Sequence, residues 1–267
     1  MRIGMTTYGY LYSASIEGAL ESIARAGFKL VEITPSPPHM VLTDGDRGSR
    51  LKLVRKLEQL QVTCVSINPT ELNLISTNPD LRELALRSYS EAIVLAHELG
   101  AQMVVVVTGR QSQLIPMPND AATRIELEQL SRLAKVAHEH RVDLAIETVP
   151  FGFAESAAEV AALVHEIGDE RVGIALDVAN IYGKEDVSLA VSLVAPSLKI
   201  AHLSDTWRNR WAHTAIGSAE VDFAEFVGAL LRRGFQGPCI YELVDGKDPE
   251  THIAGDLARF RSLGLDT

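Results

Sequence analysis

Only two cysteines, Cys64 and Cys239, occur among the 267 residues, each inside an apolar run. No disulfide framework holds such a chain, and a reduced, cytoplasmic setting is expected. Long apolar stretches are missing too: runs such as Met103–Val107 fall far below the ~20 residues a helix needs to cross a bilayer. The opening Met1-Arg2-Ile3-Gly4-Met5-Thr6 lacks the apolar core of a secretory signal and reads as a strand. Positive charge is scarce, with 25 Lys and Arg against 35 Asp and Glu, a net charge of −10. Binding nucleic acid requires clustered cations to replace counterions, so neither a nucleic-acid nor a membrane partner is expected. There is no G-x-G-x-x-G or Walker pattern, no Ser/Gly linker and no low-complexity tract. What remains is 46% hydrophobic and 22% charged, ordinary for a globular chain with a sizeable core.

Short apolar, β-rich runs recur along the whole length. They are Ile3–Thr7, Leu30–Ile33, Thr63–Ile67, Met103–Val107, Asp143–Ile146, Gly173–Leu176, Ile200–Leu203 and Cys239–Tyr241. Between them the spacing is helical; Ile16, Ala19, Leu20, Ile23 and Ala24, for example, share one face. Gly27, Gly100, Gly168 and Gly234 stand where helices should stop before the next strand. Strand–helix alternation of this kind implies parallel strands with crossover helices. Eight units at about 33 residues each suit a closed (β/α)8 TIM barrel, an α/β fold spanning 1–267 as one domain.

In such a barrel the chemistry belongs where strands end and the following loops begin. The fifth run closes on Glu147, the sixth on Asp177, the seventh contains His202 and the eighth is followed by Glu242. Three carboxylates converging on one rim would repel one another unless a cation stood between them. No cluster of Lys or Arg ends these strands, so one divalent metal ion is the simplest compensation. An oxygen-rich set with one imidazole suits Mn²⁺, Mg²⁺ or Co²⁺, with Zn²⁺ also compatible.

The pattern I-E after run five, L-D-x-x-N after six, H-x-S-D after seven and Y-E after eight resembles the xylose isomerase-like TIM-barrel superfamily. It is similar in particular to the sugar isomerase/epimerase branch with ketose 3-epimerases, hydroxypyruvate isomerase and inosose-processing proteins. The start MRIGMTTYGY and the unit AGFKLVEIT resemble that family's first two strands, and the likeness runs from Met1 to about Leu263. It implies that Glu147, Asp177, His202 and Glu242 bind metal, with Glu147 and Glu242 also the acid/base pair. The implied reaction is α-proton abstraction through a metal-stabilised cis-enediolate on a ketose or related small carbonyl polyol. One glutamate takes the proton and the other returns it to the neighbouring carbon or the opposite face.

Where relatives often carry D-x-x-H, this chain has Asp177-Val178-Ala179-Asn180; Asn180 offers a hydrogen bond to substrate but no imidazolium. His213, in the segment with Arg208, Arg210 and Gly217, resembles the family's histidine before the last helix and is expected near substrate. Arg208 or Arg210, beside Trp207 and Trp211, is expected to meet an anionic group from a rim loop. Tyr8, Tyr10 and Tyr12 offer an opposing wall, and long loops at 34–50, 68–80 and 111–120 would narrow the mouth. A metal-dependent dehydratase of a cyclic keto-polyol or a dehydroshikimate-like acid begins with the same proton abstraction and stays open as the alternative. Apurinic endonuclease relatives need further histidines where this chain has Thr34, Asn68, Asn180 and Trp211, and a non-catalytic sugar-binding barrel has no need of both glutamates. The resemblance allows a homo-oligomer.

Overall fold

A computed structural model describes residues 1–44, 46–245 and 249–267. Gly45, inside the expected loop 34–50, lies outside the described residues. Each of the eight apolar runs is a barrel strand: β1 (Ile3–Thr6), β2 (Leu30–Ile33), β3 (Thr63–Ile67), β4 (Met103–Val107), β5 (Asp143–Glu147), β6 (Val172–Asp177) and β7 (Leu198–Leu203), closed by β10 (Cys239–Tyr241). They pair in parallel in the ring order β1-β10-β7-β6-β5-β4-β3-β2, an eight-stranded TIM barrel. Strands in such a ring are covered on both faces, and that is why they read as unbroken apolar runs rather than alternating ones. A separate antiparallel hairpin, β8 (Asp205–Trp207) and β9 (Arg210–Thr214), follows β7 above the rim.

Helices surround the ring: α1 (Ile16–Ala26), α2 (Arg47–Leu60), α3 (Pro79–Leu99), α4 (Asn119–His140), α5 (Ala157–Ile167), α7 (Val187–Val194), α8 (Phe223–Arg232) and α9 (Ile253–Ser262), with the short α6 (Val178–Ile181) at the end of β6. Their starts are written locally. Ser15 accepts from the Gly18 amide, and Ser156 with Glu159 forms a reciprocal capping box. Gly27, Gly100 and Gly168 close α1, α3 and α5 in the left-handed conformation. Between strands and helices lies a large apolar layer that includes Leu20, Ile23, Ile93, Leu130 and Phe226, each worth about 1.5–3 kcal/mol when fully buried. A second, smaller cluster joins Leu30, Val65, Val105, Ala145, Ala175, Ile200 and Ile240. It plugs the ring and forms the floor beneath the rim.

Candidate metal centre and active site

Strand alternation places the polar residues. Side chains two positions apart on a strand share a face, and Ala145, Ala175 and Ile200 belong to the plug. Glu147, Asp177 and His202 therefore stand one layer above it on β5, β6 and β7. Glu242 follows β10 two residues after Ile240 of the same plug. Asp177 pairs in register with His202, and His202 with Ile240. One ligand atom from each of Glu147, Asp177, His202 and Glu242 lies within 4.8 Å of all the others, and all four residues are buried.

This donor set fits a divalent cation. Asp177 caps α6, with Oδ1 accepting from the Ala179 amide at 2.7 Å, while its fully buried Oδ2 has no hydrogen-bond partner of ordinary geometry among the described residues. A buried carboxylate oxygen left without a partner is costly unless something positive meets it. Burial raises the Asp177 carboxyl well above the usual range; Glu242 and Glu147 push it further, against His213 and His202. Glu242 is raised as well, by burial first and then by Glu147 and Glu32, with His202 opposing.

His202 is held from both sides. Nδ1 lies 2.7 Å from Glu147 and 3.8 Å from Glu242, while Nε2 lies 3.2 Å from Glu32. Burial alone would lower its pKa, but the Glu32 and Glu147 carboxylates outweigh that and raise it well above the ordinary value. Glu32 also accepts from Ser66 Oγ at 2.8 Å and Asn68 Nδ2 at 3.1 Å. Burial opposes its charge, yet His202 and these donors hold the Glu32 carboxyl below its usual value. With an ion in the cluster, a proton on Nε2 donated to Glu32 would leave Nδ1, now 2.7 Å from Glu147, available as a ligand. Glu32 was not among the residues expected from sequence; its signal is a lone carboxylate inside the apolar run Leu30–Ile33.

A cavity of about 390 Å³ opens onto Glu147 and Glu242, with Tyr8, Asn180, Trp211 and His213 among its lining. His213 stands on β9 with Nδ1 2.9 Å from Ser204 Oγ, 3.4 Å from Glu242 and 3.6 Å from Asp177. Asn180 accepts from the Trp211 indole N–H at 2.8 Å, fixing that ring rather than standing free. Trp211 packs edge-on against both His213 and Phe151, forming an aromatic wall. Asp205 organises this side: its buried carboxylate accepts from the amides of Thr206, Gly217, Ala219 and Val221, all at 2.8–2.9 Å.

Other expected residues fall elsewhere. Arg208 lies in the exposed hairpin turn and Arg210 follows it, and neither lines this cavity; their guanidinium groups lie 5.1 Å over Tyr182 and 4.8 Å over Trp207. A two-residue turn projects them past the rim. Arg110, after β4, is the arginine that lines the cavity. Tyr10 is buried in the core and Tyr12 is 85% exposed, so of the three tyrosines only Tyr8 reaches the cavity. The 68–80 loop contributes to the lining, whereas residues from the 111–120 loop border a separate cavity with Phe151 and Phe153.

A barrel ring with a buried Glu/Asp/His/Glu cluster at its C-terminal rim defines a TIM barrel with a candidate divalent-metal site. Residues 20–263 match the xylose isomerase-like TIM barrel family, and the chain belongs to it. It is 24% identical to fructoselysine 3-epimerase of Escherichia coli O157:H7, across 98% of this chain and 98% of that protein. Two solved structures share the fold. A D-tagatose 3-epimerase-like protein has a TM-score of 0.87 at 19% identity, covering 98% of this chain and 97% of the other. An L-ribulose 3-epimerase has a TM-score of 0.83 at 21% identity, covering 99% and 94%. Among the described residues no helix is long and apolar enough to cross a membrane.

Proposed function

We propose that this chain is a divalent-metal-dependent sugar epimerase or isomerase that moves a proton beside the carbonyl of a ketose or related small carbonyl polyol. The observation that carries this reading is the pairing of Glu147 and Glu242. Both are buried, both belong to the four-residue cluster, and both line the same cavity. They come from β5 and the end of β10, strands separated in the ring by β6 and β7. A flat, proton-depleted sugar between them has a carboxylate available to each side.

Glu147, Asp177, His202 and Glu242 would hold the ion, which supplies electrostatic stabilisation for negative charge developing on adjacent substrate oxygens. One glutamate removes the proton from the carbon beside the carbonyl. The other delivers a proton to the opposite face for epimerisation, or to the neighbouring carbon for isomerisation. His213, with Nδ1 3.4 Å from Glu242 and 2.9 Å from Ser204 Oγ, positions Glu242 at the cavity wall. Trp211, braced by Asn180, covers one side of the cavity and limits water entry. Two of the relatives named above are called 3-epimerases, of fructoselysine and of L-ribulose, which supports inversion at the carbon next to a ketone.

The test is incubation of Mn²⁺-loaded protein in D2O with a panel of ketoses, ketose conjugates, inososes and hydroxypyruvate. Deuterium uptake without loss of water supports the proposal. Loss of water turns the assignment to a dehydratase, and absence of exchange with every carbonyl compound overturns it.

A further inference from the structure

In the ring of eight strands, β3 and β4 stand across from β7 and β10. The loops after β3 and β4 bring two opposite charges, Glu71 and Arg110, to the lining of the cavity that holds Glu147 and Glu242. Among the described residues Arg110 is the single Arg or Lys in the lining. Among the described residues neither Glu71 nor Arg110 forms a salt bridge, with the other or with any third group.

Their positions are built rather than accidental. Asn73 clamps the two loops together: its Nδ2 donates to the Arg110 carbonyl at 3.0 Å, and its Oδ1 accepts from the Arg110 amide at 3.1 Å. The same Oδ1 accepts from the Ile75 amide at 3.2 Å. Gly109 makes the approach possible, since a Cβ there would lie 2.4 Å from Ile75 Cγ1 and 2.6 Å from Asn73 Oδ1. Glu71 itself sits in the left-handed region at φ 62°, a conformation that non-glycine residues keep only where surrounding structure holds them. Tyr8 reports both charges. Burial raises its hydroxyl pKa, Glu242 and Glu71 raise it further, and Arg110 opposes them.

We propose that Arg110 and Glu71 form a charged subsite for a dipolar substituent on the sugar, a carboxylate meeting the guanidinium and an ammonium meeting Glu71. The preferred substrate is then a ketose extended by an amino acid whose α-amino and α-carboxyl groups remain free. A neutral ketose leaves both charges to water, since both residues are exposed at the cavity mouth. A phosphate ester satisfies Arg110 but brings two negative charges toward Glu71, so it fits less well. The inference rests on the epimerase reading above and adds to it the residues that select the far end of the substrate.

The probes are fructose, fructose 6-phosphate, fructose joined through C1 to the side-chain amine of lysine, and two altered conjugates, one with the α-amine acetylated and one lacking the carboxylate. Calorimetric binding to the Mn²⁺-loaded full chain is measured beside deuterium exchange. The amino-acid conjugate should bind tightest. Arg110→Met should weaken its binding and raise its KM by about 5-fold, a larger effect than on kcat, as expected for a charge pair formed at exposed residues. Arg110→Lys should recover part of the loss, because the charge returns without the planar fork. Glu71→Gln should weaken the intact conjugate but not the acetylated one. Equal binding of fructose and conjugate, indifference to Arg110→Met, or tightest binding of the phosphate ester would overturn the subsite. Absence of exchange with every probe would instead remove the epimerase reading, while the binding data still decide the subsite.

Discussion

The Nε2 of His202 lies 3.2 Å from a carboxylate oxygen of Glu32, and both side chains are fully buried. The two residues are 170 positions apart in sequence, so the barrel's closure alone brings them together. Glu32 does not belong to the four-residue cluster, yet it sets which imidazole nitrogen faces it. Carboxylates behind a ligating histidine commonly tune metal affinity by 10–100-fold. Glu32→Gln should therefore weaken Mn²⁺ binding by about that factor while the folded circular dichroism spectrum persists. Unchanged affinity in a metal titration would remove Glu32 from this role.

The orphaned Oδ2 of Asp177 makes a second expectation. A divalent ion that binds only the folded chain should raise its stability by ~2.7 kcal/mol at a concentration 100 times Kd. Thermal melts with and without Mn²⁺ should show a clear rise in Tm for the wild type and a much smaller one for Asp177→Asn. Equal shifts in both proteins would place the ion somewhere else.

Asp205 accepts four backbone amides from the segment that carries the β8–β9 hairpin and the turn after it. Removing the carboxylate leaves those donors without their acceptor. Asp205→Ala should cost ~3 kcal/mol of stability in denaturant unfolding, through several unsatisfied amides. It should also lower exchange activity, because His213 and Trp211 ride on the same hairpin. Wild-type stability would show that water replaces the carboxylate.

Glu126 on α4 supplies a pH dependence away from the metal centre. Neither carboxyl oxygen has a hydrogen bond of ordinary geometry among the described residues, and burial pushes the group up from 4.5 to about 8, only partly offset by the Gly109 amide. Between those two values the folded chain keeps a proton that the unfolded chain has released, so stability falls as pH rises across that window. Glu126→Gln keeps the shape without the ionisation. Its Tm should exceed that of the wild type at pH 8, with the gap closing near pH 5; a gap that ignores pH would contradict a buried neutral carboxyl.

Strands were legible because both of their faces are covered: Thr63–Ile67, Met103–Val107 and Cys239–Tyr241 begin and end where their apolar runs do. Helix ends were legible where glycine supplies the left-handed residue. They were hidden at α2 and α4, which close on Gln61 at φ 52° and Arg141 at φ 57°. The four residues of the candidate metal centre could be read because Glu147 and Asp177 end their strands, His202 stands one residue from the end of β7 and Glu242 follows β10. Glu32 was not, since a carboxylate within a strand reads as an interruption until its histidine partner is known. Arg208 and Arg210 were expected at the cavity because of the neighbouring tryptophans, but the hairpin turn carries them outward and leaves Arg110 inside. Long-range pairing decides such cases, and spacing along one chain does not record it.

In the proposed reaction Glu242 exchanges a proton with a sugar carbon and also holds the metal ion. The most direct test of this double role is the rate of solvent-deuterium incorporation into an accepted ketose or ketose conjugate by Mn²⁺-loaded wild type and Glu242→Gln, with bound metal measured in the same samples. Incorporation is expected of the wild type and its loss in Glu242→Gln, at least ~100-fold on the usual scale of acid–base catalysis, with some metal retained. Incorporation at the wild-type rate in Glu242→Gln would contradict that role.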